Sequence, residues 1–314
     1  MRGSIDDSLP LPLQRRGETY EIHDMKKRET GSESLFTSPL EGLGEASLNI
    51  IKVGGGVVED ATSLARLLDQ FAAMEGRKVL VHGGGRLATA MAAKLGIESQ
   101  MVGGRRITDE KMLQVVTMVY GGLVNKNIVA GLQAKGVKAI GLTGADGDVI
   151  RSHKRPLKRV KMDDGTEQMV DFGFVGDVDK VDGRLLSSLI EAGNVPVVAP
   201  LTHDGEGHIL NTNADTIAAS VACALAEYYD VTLTFCFEKA GVLRDANDDS
   251  SVIPTINEEQ FRQLTATGII AGGMIPKLEN AFEAIHQGVR QVVITHSDNI
   301  DGSRGTTIKL KVEN

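Results

Sequence analysis

Two patterns alternate along this chain: short runs of consecutive apolar residues that end in glycine or a polar turn, and longer stretches in which apolar residues recur every three or four positions. The first predicts strands buried on both faces, the second helices with one apolar stripe. Strands are expected at 48–53, 78–81, 137–142, 195–200, 230–237 and 292–295, with a closing one after Gly305. Helices are expected at 59–74, 87–95, 110–135, 185–191, 214–227, 257–264 and 278–286. A strand, glycine loop and helix in repeated order predict an α/β fold with a mostly parallel sheet covered by helices. Residues 149–175 alternate instead and are broken by Asp163-Asp164-Gly165, which predicts a hairpin. Residues 1–47 lack periodicity and mix charges with prolines and glycines, which predicts a flexible extension or leader. Met1-Arg2-Gly3-Ser4 resembles an expression leader, Met25 is an alternative start, and a short amphipathic segment near Leu35 and Phe36 could dock on a partner subunit.

The glycines add chemistry to this frame. Ile50-Ile51-Lys52-Val53-Gly54-Gly55-Gly56 and Lys78-Val79-Leu80-Val81-His82-Gly83-Gly84-Gly85 each carry a strand into consecutive glycines. Glycines let backbone N–H groups approach an anion, the second run opens directly into a helix, and Lys52 adds a mobile positive charge. Neither run fits the GxxxxGK phosphate loop or GxGxxG, so a nucleotide site here is of another kind; tight turns are the alternative reading of each loop. Lys277 stands near another helix start and supplies the second cation that nucleotide phosphates need. His82 reads as a local hydrogen-bonding residue.

Other polar clusters are less specific. Arg105 and Arg106 beside a turn suit a carboxylate, because the guanidinium fork matches its two oxygens, or form an ordinary solvated pair. Asn211, Asn213 and Asp215 before an alanine-rich helix read either as contacts to a polar ligand or as turn and cap residues. The predicted hairpin carries Arg151, Lys154, Arg155, Lys158, Arg159 and Lys161, which could cover an anionic substrate or simply be solvated. The acidic turn 144–148 lacks the closing glutamate of a calcium loop and is read as structural.

Composition narrows the class. The 314 residues can bury a substantial core as one α/β domain or two lobes. A formal charge of -8 argues against nucleic acid as a partner, and the absence of tryptophan leaves an aliphatic core. No apolar run reads as long enough to span a bilayer and no secretory leader is evident, so the expected location is cytoplasmic and no membrane partner is expected. Cys223 and Cys236 read as buried free thiols.

Taken together, Lys52-Val53-Gly54-Gly55, His82-Gly83-Gly84-Gly85, Gly104-Arg105-Arg106-Ile107-Thr108, Asn211-Thr212-Asn213-Ala214-Asp215 and Gly273-Met274-Ile275-Pro276-Lys277 resemble the signatures of the amino acid kinase family over 48–310. The resemblance implies a three-layer open αβα sandwich. It further implies an N-terminal lobe, 48–228, that binds the acylamino acid and dimerises through the helix near 110–135, and a C-terminal lobe, 229–314, that binds ATP. The implied reaction is phosphorylation of the γ-carboxylate of an N-acylglutamate in arginine biosynthesis, with Mg²⁺ held mainly by the nucleotide phosphates and no protein ligand assigned. By position, Lys52, Asp215 and Lys277 match the catalytic residues. Lys52, Gly54, Gly55 and Lys277 match the ATP contacts, and Gly83, Gly84, Gly85, Arg106, Asn211 and Asn213 the substrate contacts. The doubled arginine and basic hairpin raise N-succinylglutamate as substrate in place of N-acetylglutamate. Phe237-Glu238-Lys239-Ala240 departs from the family's usual aspartate-containing loop, and Gly272-Gly273 stands where many relatives have an aspartate. Kinases of the same fold acting on carbamate, glutamate, aspartate or a nucleoside monophosphate, and a nonenzymatic regulator, are the alternatives. Arginine enters as an effector in some relatives, where an N-terminal helix joins dimers into a hexamer; the expectation here is a homodimer.

Overall fold

The computed structural model describes residues 46–161, 165–245, 247–272 and 274–310. The extension expected at 1–47 lies outside them except for its last two residues, as do Asp163, Asp164 and Gly273.

The first strand, β1 (Ser47–Val53), and β2 (Arg77–His82) pair in parallel. Along β1, Leu48 and Ile50 enter one core and Ile51 and Val53 another, the signature of a strand covered on both faces. Between the two strands, the single helix expected at 59–74 is two helices, α1 (Gly55–Glu59) and α2 (Ala61–Ala73). Asp60 divides them: its backbone is extended and its carboxylate accepts from the Ser63 N–H at 2.7 Å, capping α2. After β2 the chain turns straight into α3 (Gly85–Lys94), then a short hairpin of β3 (Met101–Val102) and β4 (Arg105–Arg106).

The expected run 110–135 is one rod with three parts. It comprises α4 (Glu110–Val116), capped by Asp109, a π-helical segment over Thr117–Val124, and α5 (Asn125–Gln133). The consecutive glycines at 121 and 122 weaken α-helical propensity where the wider turn forms. By length and composition Glu110–Gln133 would cross a membrane, which corrects the expectation that no run is long enough. However, Met112, Val115, Val116, Val119, Val124, Ile128 and Leu132 are buried in the core, so its apolar residues are spent on internal packing.

Next come β5 (Ala139–Leu142) and β6 (Ile150–Lys154). The hairpin expected over 149–175 shrinks to β7 (Lys158–Lys161) and β8 (Glu167–Val170). Val149 and Ile150 are fully buried, and β6 is drawn into a separate four-stranded sheet with β9 (Gly176–Val181), β11 (Leu201–His203) and β12 (Ile209–Asn211). Much of the hairpin's positive charge is compensated: Arg151 pairs with Asp148, Lys154 with Asp171, Arg155 with Asp177 and Arg159 with Glu167. Between β9 and β11 lie α6 (Gly183–Glu191) and β10 (Val195–Val198).

The remaining elements are α7 (Ala214–Leu225), β13 (Asp230–Phe237), β14 (Thr255–Ile256), α8 (Glu258–Ala266), α9 (Met274–His286), β15 (Gln291–His296) and β16 (Thr306–Ile308). Helix α9 begins before the expected 278, which puts Lys277 inside its first turn. The main sheet runs β14-β16-β15-β13-β1-β2-β10-β5. From β15 to β5 all neighbours are parallel, so six strands end at one edge; β16 is antiparallel to β15. One face packs on α6, α7 and α9, the other on α2 to α5, giving the expected αβα layers. Cys236 lies buried in β13, where burial pushes its thiol up to about 12, whereas Cys223 is only half-buried, a correction to its expected burial.

Candidate functional site

In a parallel sheet covered on both faces, ligands collect where the strands end. Period-two alternation in β1 points Lys52 to the same face as Leu48 and Ile50, toward α7. There its ammonium meets Asp215, in the first turn of α7, at 2.7 Å. Lys52 is only 7% exposed, while the Asp215 carboxylate is partly open to solvent. Lys277 enters the same region from α9, its ammonium 3.6 Å from the centroid of the Phe237 ring. Burial lowers the pKa of Lys277 below the ordinary lysine value; Asp215 opposes the shift and the Lys52 charge adds to it.

The two glycine loops close against each other. A Cβ on Gly55 would sit 3.4 Å from the Gly85 nitrogen and 3.5 Å from that of Gly84, and one on Gly83 would sit 3.1 Å from the Gly55 nitrogen. On Gly84 it would press to 3.1 Å from the Tyr120 ring. A side chain is thus crowded by backbone at Gly83 and by the Tyr120 ring at Gly84, while at Gly55 the facing loop is in ordinary contact. The Gly83 N–H itself donates to the Val53 carbonyl at 3.0 Å, which commits it to the fold. Gly84 and Gly85 instead stand at the start of α3, where amides lack a preceding turn to accept from them and the helix dipole favours an anion.

Two chambers open from these loops, with Gly85 in the wall of both. A cleft of about 710 Å³ runs along Gly54, Gly55, Gly56, Arg86, Phe237 and Lys277. Across its mouth Arg86 pairs with Glu238 at 2.9 Å, both well exposed. A smaller pocket of about 230 Å³ gathers Gly83, Gly84, Arg106, Asn211 and Asn213 with Arg105, Tyr120 and Arg155. The Arg106 guanidinium is held by the Gly85 carbonyl at 2.9 Å, the Thr89 hydroxyl at 2.8 Å and the Ser99 hydroxyl. Asn211 donates to the Thr108 hydroxyl at 2.9 Å. The Asn213 carboxamide oxygen accepts from the Asp215 and Thr216 amides, so it caps α7 and thereby aims Asp215 at Lys52.

Of the site residues singled out in the sequence, Gly54, Gly55 and Lys277 line the cleft and Gly83, Gly84, Arg106, Asn211 and Asn213 the pocket, with Gly85 in both; Lys52 and Asp215 line neither. His82 does not join them. It is fully buried, Nδ1 donates to the Gly83 carbonyl, and Nε2 accepts from Asn125, as expected of a local hydrogen-bonding residue. Sequence reasoning missed Phe237, Arg86 and Tyr120 as wall residues, and the place of Arg155. The alternation of β13 could have put Phe237 on the face of Lys52, and Arg86 directly follows Gly85 of the second glycine loop, which could have placed it beside the cleft.

The chain matches the model of the amino acid kinase family over residues 47–296. It is 64% identical over 262 residues to the acetylglutamate kinase of Bacteroides thetaiotaomicron, covering 83% of this chain and 98% of that one. To the acetylglutamate kinase of Phocaeicola vulgatus it is 65% identical, with coverage of 83% and 98%. Among solved structures it resembles smu.665 from Streptococcus mutans with a TM-score of 0.66 and 28% identity, over 84% of this chain and 99% of that one. Since the family match spans the whole main sheet up to β15 and both chambers at its edge, the chain belongs to the amino acid kinase family.

Proposed function

We propose that this chain transfers the γ-phosphoryl group of ATP to the γ-carboxylate of N-acetylglutamate, giving N-acetyl-γ-glutamyl phosphate and ADP, a step of arginine biosynthesis. The observation that carries the reading is geometric: two facing glycine loops join a large cleft, lined by Lys277, to a guanidinium-lined pocket, and Asp215, two residues beyond Asn213 of that pocket, pairs with Lys52. The 64% identity to an acetylglutamate kinase supports the same acceptor.

In this reading the larger cleft takes MgATP and the smaller pocket takes the acylamino acid, with the carboxylate meeting the γ-phosphoryl group at Gly55, Gly84 and Gly85. The acceptor is ionised at neutral pH and needs no general base, so catalysis rests on alignment and charge neutralisation. The Gly84 and Gly85 amides receive the transferring oxygens. Lys52 neutralises the phosphoryl group in flight, Lys277 holds the nucleotide phosphates, and Asp215 keeps Lys52 in place. Arg106, already braced on three sides, takes the substrate α-carboxylate, with Asn211 beside it. Among the described residues no cluster of three or more His, Cys, Asp or Glu side chains is arranged for a metal. In this reading Mg²⁺ is held mainly by the nucleotide phosphates, where it would supply charge neutralisation. Residues 48–228 supply the acylamino-acid pocket and 229–314 the outer wall of the nucleotide cleft. Such an ATP-dependent biosynthetic step belongs in the cytoplasm, with the chain acting as a homodimer and arginine as a candidate effector.

N-succinylglutamate is the second reading, favoured by one observation. Arg105 joins Arg106 and Arg155 in the pocket wall, and among the described residues Arg155 pairs with Asp177 while Arg105 and Arg106 form no ion pair. Mg-ATP turnover with both acylglutamates, trapping the acyl phosphate as its hydroxamate, tests both readings. Preference for the acetyl compound is the expected result; preference for the succinyl compound assigns Arg105 to the extra carboxylate, and turnover of neither removes the proposed activity.

A further inference from the structure

Two ammonium groups, those of Lys52 and Lys277, act on the Asp215 carboxylate. Asp215 is engaged by Lys52 at 2.7 Å, and Glu238, the other carboxylate facing Lys277, is engaged by Arg86 at 2.9 Å. Among the described residues Lys277 makes no ion pair. What it does contact is the face of Phe237, at 3.6 Å from the ring centroid, while the Lys52 ammonium lies 5.6 Å from the same centroid. A ring face is the negative end of an aromatic quadrupole, and it attracts a cation more strongly where water is partly excluded.

The ring is itself held. Phe237 is the last residue of β13 and stacks on Phe235, two residues earlier on the same face, with centroids 6.1 Å apart and planes 20° apart. Behind it, a second cavity of about 200 Å³ opens between α7 and α9, lined by Thr216, Ser220, Cys223 and Asn280. Phe237, Lys277 and Ile294 line both this cavity and the phosphate cleft and form the partition between them. A lysine has four methylenes of freedom, so without the ring its ammonium could turn away from the phosphates into that space.

We propose that Phe237 is a positioning residue for phosphoryl transfer: its ring face holds the Lys277 ammonium, and at longer range that of Lys52, toward the phosphate cleft before the nucleotide arrives. The proposal rests on the assignment of this cleft to ATP. It makes the aromatic face part of the phosphate-binding apparatus, beside an ammonium that forms no ion pair among the described residues.

The test replaces Phe237 with mono-, di- and trifluorophenylalanine, which drain the ring face of negative charge while nearly keeping its shape. The dissociation constant of MgATP, kcat and Tm are measured across the series. MgATP affinity and kcat/KM for ATP are expected to fall stepwise, by about tenfold at the trifluoro ring, with Tm unchanged. Phe237→Leu should fall at least as far. A flat fluorine series with loss only in the leucine variant overturns the proposal and leaves the ring as packing. Affinity that rises with fluorination also overturns it, because the ring would then hold Lys277 back from the phosphates. Failure of the proposed activity is separately visible: the unsubstituted protein would turn over no acylglutamate, while the MgATP series still reports on the ring.

Discussion

At the scale of single residues, the chemistry depends on charges held before any ligand binds. Lys52 is buried against Asp215, and Arg106 is fixed by a carbonyl and two hydroxyls, so neither must be ordered at the moment of binding. Lys52→Ala is expected to lower kcat by about 10²-fold or more with a much smaller change in either KM, because the lost charge acts where the phosphoryl group transfers. Arg106→Ala should chiefly raise the KM for the acylamino acid. Steady-state kinetics on both variants separates the two roles, and unchanged values in either remove its assignment. These residues could be picked from the sequence because each sits in a short motif. Phe237 could not, because its significance lies in two lysines from segments far apart in the chain.

Among the elements, the rod from α4 to α5 shows why a periodic pattern is read more easily than its exposed side. Its buried stripe follows helical spacing, but the outer face also carries Met118, 54% exposed, and Leu123, 42% exposed, with Gly122 open between them. A large apolar residue beside an exposed glycine suits close approach of a second helix, which is the contact expected of a homodimer. Light scattering over a concentration series should give the dimer mass for the wild-type chain and the monomer mass for Met118→Lys. The substitution is on the surface and should change monomer stability by no more than about 0.5 kcal/mol. A wild-type monomer at micromolar concentration, or a variant that stays dimeric, assigns this face to something else. The π-helical turn within the rod was not legible in advance, since the glycines that permit it only weaken an α-helix locally.

For the whole molecule, His82 makes stability depend on pH. Its ring joins the end of β2 to the rod through Asn125, which also donates to the Val197 carbonyl of β10 at 2.9 Å. Burial pushes its pKa from the usual 6.5 down to about 4, so the folded protein keeps it neutral while the unfolded chain protonates. Between those values the unfolded state binds more protons, and stability therefore declines as pH falls from 6.5 toward 4, by about 3 kcal/mol for this group. Urea unfolding across that range should show the decline, and His82→Gln should flatten it; equal slopes in both proteins would assign the effect to other groups. The runs of consecutive apolar residues by themselves determined the parallel α/β sheet, because burial on both faces demands unbroken apolar strands, and the glycine-rich motifs determined which loops end them. Only the tertiary structure decided the rest. It split 149–175 between two sheets because Val149 and Ile150 are drawn into the main core, and it committed Asn213 to capping α7. It also set Phe237 between two ammonium groups, because contacts between distant segments depend on how the layers pack, which local sequence patterns do not specify.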